Sequence, residues 1–200
     1  IQVEHPVTEI VTGVDLVHWQ IRIARGERLT VPADQLLTPR GHAIECRVYA
    51  EDPDARFMPS PGLITSLRTP SGPGIREDGW GETGTEVPVF YDPLISKLIA
   101  WGADRPHAIA RMRRALMEYE VRGIRTSLPF FQWILRQPAF ESAEFHTEFL
   151  DELLQQRSGE GFSHIDPSLE VVAAFAACIA DADDAQSGRS AGTGPTPRST

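Results

Sequence analysis

The first nine residues of the chain combine side chains that could carry out acid–base chemistry on a small oxyacid. Gln2 and Glu4 alternate with two apolar residues, so an extended backbone would present the amide and the carboxylate on one face. The helical backbone conformation is disfavoured for a residue that precedes proline. Because His5 precedes Pro6, this stretch is expected to be extended. A carboxylate beside an amide can bind an oxyacid and remove its proton, which makes Glu4 the candidate general base.

Arg47 is the second candidate, and it lies within a strand predicted over residues 41–49. Alternation gives this strand an apolar core face and a polar face; the core face holds His42, Ile44, Cys46 and Val48, and the polar face holds Glu45, Arg47 and Tyr49. A guanidinium in a fixed position can stabilise negative charge that develops on a substrate oxygen. A structural ion pair, with Glu45 or with a carboxylate of a neighbouring strand, is the alternative interpretation of Arg47.

Helices that could position these residues are predicted from apolar spacing and capping signals. One helix is expected to begin after Thr12 or Asp15 and to end at Gly26. Another is capped by Asp104, and two more are expected from Ser127 and over residues 147–156. The helix after Asp104 has an apolar stripe that consists of Ile109, Met112, Leu116 and Tyr119.

Strands are expected mainly in the first half of the chain. Short strands are predicted over residues 63–68, 85–90 and 121–125, and residues 27–41 are expected to form a loop. The apolar residues 94–101 could form either a strand or a buried helix, because periodicity alone does not separate the two. Strands that cluster early and helices that cluster late predict an α+β fold.

The C-terminal part of the chain has a different composition. Residues 158–161 are expected to end the folded unit, and residues 168–182 could form a short amphipathic helix. From Gln186 onward, Ser, Gly, Thr and Pro predominate, which predicts a flexible, disordered tail. The chain starts within a motif and without methionine, so we interpret it as a fragment of a longer protein.

Charge and composition argue against several classes of function. The 200 residues have a net charge of −9 and one short basic run at residues 111–114, so nucleic acid is not an expected partner. No apolar run is long enough to span a membrane, and a membrane partner is not expected. The histidines lack zinc-like spacing, so no metal ligands are assigned. Cys46 and Cys178 form no motif, and so few cysteines are compatible with a reducing compartment such as the cytoplasm.

Several ordered motifs resemble those of biotin carboxylase. IQVEHPVTE followed by TGVDLV resembles the segment that closes the ATP-grasp domain of that family. RGHAIECRVYAEDP, FMPSPG, VPVFYDPLISKLIAWG, and ARMRRAL with GIRTSLPFF then follow in the family's order. The resemblance implies that residues 1–12 end the ATP-grasp domain, that 13–157 form the C-terminal domain with a mostly antiparallel sheet and packed helices, and that 158–200 are a linker.

The resemblance also implies roles for the candidate residues. Glu4 would take the proton of bicarbonate, while Gln2 and the backbone N–H of Val3 hold it. Arg47 would stabilise the negative charge of the biotin enolate, on the ureido oxygen. His5 and Glu9 could orient the segment or pair with Arg47 without a catalytic role.

Further positions match the family less specifically. Tyr91 and Asp92 resemble a position near the biotin pocket. Arg76 resembles an arginine at the dimer interface, but Pro73 stands where bacterial members often have phenylalanine. A homodimer that uses Arg76 is therefore expected only from the resemblance.

The resemblance implies ATP, Mg²⁺ and biotin as cofactors, with the ATP and metal ligands mostly upstream of Ile1. Biotin would arrive on a carrier domain or carrier protein, and a carboxyltransferase component would be a further partner. The parent would be of the acetyl- or propionyl-CoA carboxylase type, as in fatty acid biosynthesis, and the fragment alone is expected to be inactive. Two other functions remain open: a non-catalytic module for dimerisation and carrier docking, and another ATP-grasp ligase that forms carbamoyl phosphate.

Overall fold

The computed structural model describes residues 1–157 and 159–162 of the chain. The helices in that part are α1 (His5–Thr12), α2 (Leu16–Ala24), α3 (Ala33–Leu37), α4 (Arg105–Glu118), α5 (Leu128–Ile134), α6 (Pro138–Ser142) and α7 (Phe149–Gln156). The strands are β1 (His42–Tyr49), β2 (Glu51–Asp52), β3 (Met58–Pro59), β4 (Gly62–Leu63), β5 (Ser66–Arg68), β6 (Ile75–Gly79), β7 (Glu86–Val87), β8 (Leu94–Gly102) and β9 (Glu120–Arg122). The predicted helix at 168–182 and the tail lie outside the described residues.

A three-stranded antiparallel sheet with the order β1-β8-β6 forms the centre of the fold. The described residues also form three two-stranded antiparallel ladders, which join β2 with β3, β4 with β7, and β5 with β9. In the central sheet Arg47 is opposite Lys97, and Lys97 is opposite Asp78. Directly paired residues share a face, so these three charged residues lie on the same side of the sheet. The predicted α+β class with a mostly antiparallel sheet is confirmed.

The apolar face of the central sheet packs against α4 and forms the main core. Val48, Leu98, Met112 and Leu116 are each 0% exposed. Burying such a side chain contributes about 1.5–3 kcal/mol, which makes this sheet–helix contact the main support of the polar face behind it. The predicted apolar faces of residues 41–49 and of the helix after Asp104 are therefore confirmed.

Some local predictions differ from the structure. Residues 94–101, left undecided, form β8, which is paired on both sides and buried along most of its length. A strand inside a sheet with helices over it is apolar on both faces, so it shows no alternation. The predicted loop at residues 27–41 contains α3, and α6 was not predicted; each has only five residues, too few for a periodic signal.

Two of the predicted helix boundaries follow from capping. Asp15 accepts a hydrogen bond from the backbone N–H of His18 at 2.7 Å, and Asp104 accepts one from that of His107 at 2.8 Å. Gly26, which follows α2, has a positive φ of 87°. Within the described residues, no helix combines the length and apolar character needed to cross a membrane.

Candidate active site

Glu4 lies in the turn that begins α1 and not on a strand end, so the extended prediction for this stretch is wrong. The backbone N–H of His5 donates to the carbonyl of Gln2 at 3.2 Å, and that of Val7 donates to the carbonyl of Glu4 at 3.0 Å. Pro6 occupies the first turn of α1, where no helical hydrogen bond requires its missing N–H. This compatibility of proline with a first turn outweighs the restriction on the residue before it.

Helix α1 contacts β1 and β8 and brings Glu4 to Arg47. Nη2 of Arg47 donates to Oε2 of Glu4 at 3.1 Å. The side chains of Arg47 and Glu4 are 40% and 51% exposed, so a small anion or a carbonyl oxygen can approach both. Glu4 and Arg47, which were separate candidates in the sequence, are thus neighbours in the structure. Their chemical roles stay predictions.

Glu45 lies two residues before Arg47 on the same face of β1, and its side chain is only 5% exposed. One carboxylate oxygen of Glu45 is 3.6 Å from Nε of Arg47. Burial raises the pKa of Glu45, while Lys97 and Arg47 act in the opposite direction. Arg47 therefore has a buried carboxylate on its Nε side and the exposed carboxylate of Glu4 at Nη2. The structural ion pair considered as an alternative exists together with the contact to Glu4.

A second group of charges ties α1 to β6. Nη1 of Arg76 donates to Oε2 of Glu9 at 2.7 Å, and its Nε and Nη2 donate to the two oxygens of Asp78 at 2.8 and 2.7 Å. The hydrogen bond to Asp78 is the main cause of a raised pKa of Arg76, and Arg76 lowers the pKa of Asp78. Glu9 thus pairs with Arg76 and not with Arg47. The alternation of Arg76 and Asp78 could have indicated their pairing, but no local signal joins either to Glu9.

Arg76 was expected at a dimer interface, and in the structure its guanidinium is engaged within the chain. Its side chain is 35% exposed. Together with His5, Glu9 and Asp15 it lines a concavity of about 430 Å³ beside α1. Contact between protomers through Arg76 stays a prediction.

Gln2 and Val3 share the exposed turn with Glu4. The carbonyl of Gln2 lies 2.9 Å from Nδ1 of His5, and Val3 is 38% exposed. The three residues that the resemblance assigns to bicarbonate are therefore neighbours at the start of α1. Their binding of bicarbonate stays a prediction.

Tyr91 and Asp92 lie just before β8 and are not joined to Glu4 or Arg47 by a hydrogen bond or ion pair in the described part of the chain. Asp92 accepts a hydrogen bond from the backbone N–H of Leu94 at 2.9 Å, and Tyr91 is 79% exposed. Both residues line a separate concavity of about 570 Å³. Tyr91 and Asp92 therefore line a concavity that does not include the Glu4–Arg47 contact.

One group of possible metal ligands occurs elsewhere on the surface. Donor atoms of His146, Glu148 and Glu152 lie within 4.8 Å of one another, and all three side chains are exposed. Nδ1 of His146 accepts from the backbone N–H of Glu148 at 3.3 Å, and Nε2 is 3.7 Å from Glu152. These contacts already occupy both ring nitrogens, so we assign no metal here.

The Glu4–Arg47 contact combines a proton acceptor with a hydrogen-bond donor at one accessible point. The carboxylate can accept a proton, and the guanidinium stays charged and can donate hydrogen bonds to an oxygen. The buried carboxylate of Glu45 limits how the guanidinium can turn. Such an arrangement suits proton removal beside an oxygen that gains negative charge.

Comparison with known proteins identifies the family. The model of the biotin carboxylase C-terminal domain matches residues 45–152. The model of the ATP binding domain of the carbamoyl-phosphate synthase L chain matches residues 1–31.

Individual relatives agree with these matches. A pyruvate carboxylase subunit of Methanothermobacter thermautotrophicus is 54% identical over 152 residues, which are 76% of this chain and 31% of that protein. Biotin carboxylase of Nostoc sp. is 53% identical over 153 residues, 76% of this chain and 34% of that protein. The chain thus spans about a third of the length of these relatives.

Solved structures give the same result. The biotin carboxylase domain of a thermophilic 2-oxoglutarate carboxylase, bound to bicarbonate, has a TM-score of 0.76 and 43% identity, over 82% of this chain and 36% of that one. The biotin carboxylase subunit of a pyruvate carboxylase also has a TM-score of 0.76, with 42% identity over 83% of this chain and 36% of that one. This chain therefore belongs to the family of biotin carboxylase C-terminal domains.

Proposed function

We propose that this chain is the part of an ATP-dependent biotin carboxylase that carries the general base and the arginine facing biotin. The observation that supports this most is the solvent-accessible contact of 3.1 Å between Oε2 of Glu4 and Nη2 of Arg47. It pairs a proton acceptor with a permanent positive charge at one accessible point. Relatives named biotin carboxylase, and a similar domain solved with bicarbonate, favour this class of reaction.

In this proposal Glu4 takes the proton of bicarbonate. An oxygen of bicarbonate attacks the γ-phosphate of ATP, ADP leaves, and carboxyphosphate forms, while the proton passes to the carboxylate of Glu4. The side-chain amide of Gln2 and the backbone N–H of Val3 donate hydrogen bonds to the anion. A base within hydrogen-bonding distance of the proton contributes about 100-fold or more to the rate.

Arg47 serves the second half of the reaction. Biotin, when bound, supplies a ureido nitrogen as the acceptor of the carboxyl group. Arg47 donates a hydrogen bond to the ureido oxygen, where negative charge develops as that nitrogen passes its proton to the phosphate that leaves carboxyphosphate and bonds to the carboxyl carbon. Glu45 keeps the Nε side of the guanidinium in place, so Nη2 stays directed at the site of Glu4. Tyr91 and Asp92 are proposed to contact biotin from the segment before β8.

The remaining assignments concern the whole protein. ATP and Mg²⁺ would be held mainly outside this chain, biotin would be attached to a carrier domain or protein, and a carboxyltransferase would use the product in the cytoplasm. We propose a homodimer with Arg76 near its interface. An acetyl- or propionyl-CoA carboxylase of fatty acid biosynthesis is the proposed parent, although relatives include subunits of pyruvate, methylcrotonoyl-CoA and 2-oxoglutarate carboxylases. Carboxylation assays with each acceptor distinguish these parents.

The test uses the full-length protein, with ATP cleavage measured in the presence of bicarbonate and free biotin. Glu4→Gln removes the base and is expected to lower turnover by about 100-fold or more. Arg47→Ala is expected to lower carboxylation by a factor on the order of 100, with a much smaller effect on folding. Unchanged turnover in Glu4→Gln would contradict the enzymatic proposal and leave a module for dimerisation and carrier docking.

Two ion pairs outside the site provide matched controls. Glu118, 45% exposed, pairs with Arg114 at 2.7 Å, so Glu118→Gln repeats the change made at Glu4. Arg68, 70% exposed, pairs with Glu120 at 3.4 Å, so Arg68→Ala repeats the change made at Arg47. Both controls should retain wild-type turnover. A large drop in melting temperature for Arg47→Ala, with turnover intact in the refolded protein, would count against a role in catalysis.

The match of residues 1–31 to a carbamoyl-phosphate synthase domain supports a second candidate, another ATP-grasp ligase. Free biotin separates the two candidates. Biotin-stimulated ATP turnover is expected for a biotin carboxylase. A ligase that forms carbamoyl phosphate would show no such stimulation.

A further inference from the structure

Glu9 connects three elements of the fold through one carboxylate. Oε2 accepts the hydrogen bond from Nη1 of Arg76 on β6 at 2.7 Å, and Oε1 accepts one from the backbone N–H of Leu16, the first residue of α2, at 2.9 Å. The side chain is only 11% exposed. Both oxygens therefore have partners inside the protein, and Glu9 is far less accessible than Glu4, whose side chain is 51% exposed.

Arg76, the ion-pair partner of Glu9, is itself held by further contacts. Asp78 receives two hydrogen bonds from Arg76, and Nζ of Lys97 lies 3.8 Å from Asp78. Lys97 stands opposite Arg47 in the register of β1 and β8. The charges that hold Glu9 are thus part of the same polar face as Arg47.

Helix α1 is attached at its start and near its middle to two different strands of the central sheet. Glu4, at its start, contacts Arg47 on β1, and Glu9 contacts Arg76 on β6. Five residues of helix advance about 7.5 Å. Strands β1 and β6 lie on either side of β8, about 9.6 Å apart. The helix therefore crosses the sheet from β1 to β6. The side chains of Glu4 and Glu9 are long enough to cover the difference between these two distances.

From this geometry we propose that Glu9 is a positioning residue for the carboxylation reaction, acting by fixing α1 on Arg76 so that Glu4 meets Arg47. The proposal rests on the function proposed above. It adds to Glu4 and Arg47 a residue, Glu9, that does not touch the reacting atoms. Without the attachment at Glu9, the buried Pro6 and Thr12 still hold α1 on the sheet, but only an exposed ion pair directs Glu4 toward Arg47. Exposed pairs of that kind contribute about 0–1 kcal/mol and do not fix a helix in place.

The experiment replaces Glu9 in the full-length enzyme. Glutamine carries an NH2 group in place of one carboxylate oxygen, so in Glu9→Gln either Arg76 or the N–H of Leu16 would face a donor instead of an acceptor. The kcat of ATP cleavage that depends on bicarbonate and biotin should fall about tenfold or more, because small displacements of a reacting group are costly. The KM for ATP should stay within about twofold, since the nucleotide is bound elsewhere.

A double variant separates positioning from general damage. If Glu9 acts only through Glu4, Glu9→Gln adds nothing to the loss already caused by Glu4→Gln. Hydrogen exchange should also show faster exchange of the amides of α1 in Glu9→Gln. Tyr119→Phe serves as the control, because it removes a buried hydroxyl that bonds to Ser96 at 2.7 Å within the apolar side of the sheet. This control should lose stability without the loss of kcat.

Several results would overturn the proposal: an unchanged kcat, losses that add in the double variant, or an equal loss in Tyr119→Phe. A loss of activity that accompanies dissociation of the protomers in sedimentation, and disappears at high enzyme concentration, would overturn it as well. If the wild-type enzyme shows no biotin-dependent turnover, the proposed function fails. Hydrogen exchange then still decides the positioning claim, because unchanged exchange of α1 in Glu9→Gln contradicts it.

Discussion

At the scale of single residues, the candidate site consists of charges that have more than one partner. Arg47 lies between Glu4 and Glu45, and Asp78 lies between Arg76 and Lys97. A charge with a partner on each side is held against rotation, which a single exposed ion pair does not achieve. Buried Glu45 is therefore expected to fix Arg47, and part-buried Asp78 is expected to fix Arg76 and Lys97.

Asp78 provides a test through the pH dependence of stability. Arg76 lowers the pKa of Asp78 in the folded state below its value of about 3.9 in an unfolded chain. The stabilisation is therefore present at pH values above the pKa of Asp78 in the unfolded chain. It is lost as the pH falls through the pKa of Asp78 in the folded protein. Asp78→Asn should reduce the free energy of unfolding of this chain by about 1–3 kcal/mol at pH 7, and the difference should shrink below about pH 4.

Denaturant unfolding of both proteins between pH 3 and 8 measures this difference. Asp34→Asn is the control, because Asp34 is exposed at the start of α3. It should leave stability almost unchanged across the range. A difference for Asp78→Asn that stayed constant down to pH 3 would show that the ionised carboxylate does not provide the stabilisation.

At the scale of elements, β1 and α4 could be predicted from the sequence because their apolar spacing has a clear period. Glu4 and Arg47 could be chosen as well, by residue type and by resemblance to a family. The conformation around Glu4 was predicted wrongly, since Pro6 is compatible with a first helical turn as well as with a strand end. The pairing of Glu9 with Arg76 spans 67 positions and depends on how α1 crosses the sheet. No local pattern contains that information.

The junction between β8 and α4 gives a prediction at this scale. A Cβ on Gly102 would lie 2.3 Å from the backbone nitrogen of Ala108 and 2.7 Å from the carbonyl carbon of His107. Because both are backbone atoms, the strand or the helix must move. Gly102→Ala should therefore reduce the free energy of unfolding by about 3 kcal/mol in denaturant titrations of this chain.

Gly26→Ala is the matched change for that experiment. Gly26 has a φ of 87°, and nothing lies within 4 Å of the position that an added methyl group would take, so only backbone strain of about 1–2 kcal/mol is expected. Equal losses for the two variants would mean that the close approach of β8 and α4 is relieved without cost.

At the scale of the whole molecule, the chain spans about a third of the length of its curated relatives. By the proposed function, the residues that bind ATP and the metal would lie mostly outside this chain. We therefore expect that this chain alone neither turns over ATP nor binds it tightly. Isothermal calorimetry with ATP and Mg²⁺ should show no binding in the micromolar range, whereas the full-length protein under the same conditions should bind. Micromolar affinity of the 200-residue chain would contradict this expectation.

Helix α1 carries the accessible carboxylate of Glu4 at its start and is bound to Arg76 through Glu9 near its middle. If Glu9 positions Glu4, a molecule that draws Arg76 away from Glu9 must therefore change the free energy of holding Glu4 next to Arg47. Thermodynamic reciprocity requires the reverse effect of equal size: whatever occupies the Glu4 end changes the affinity for a ligand or a second protomer at Arg76. In a dimer built around Arg76, substrate saturation and dimer formation would accordingly be linked quantities, and neither could be measured independently of the other.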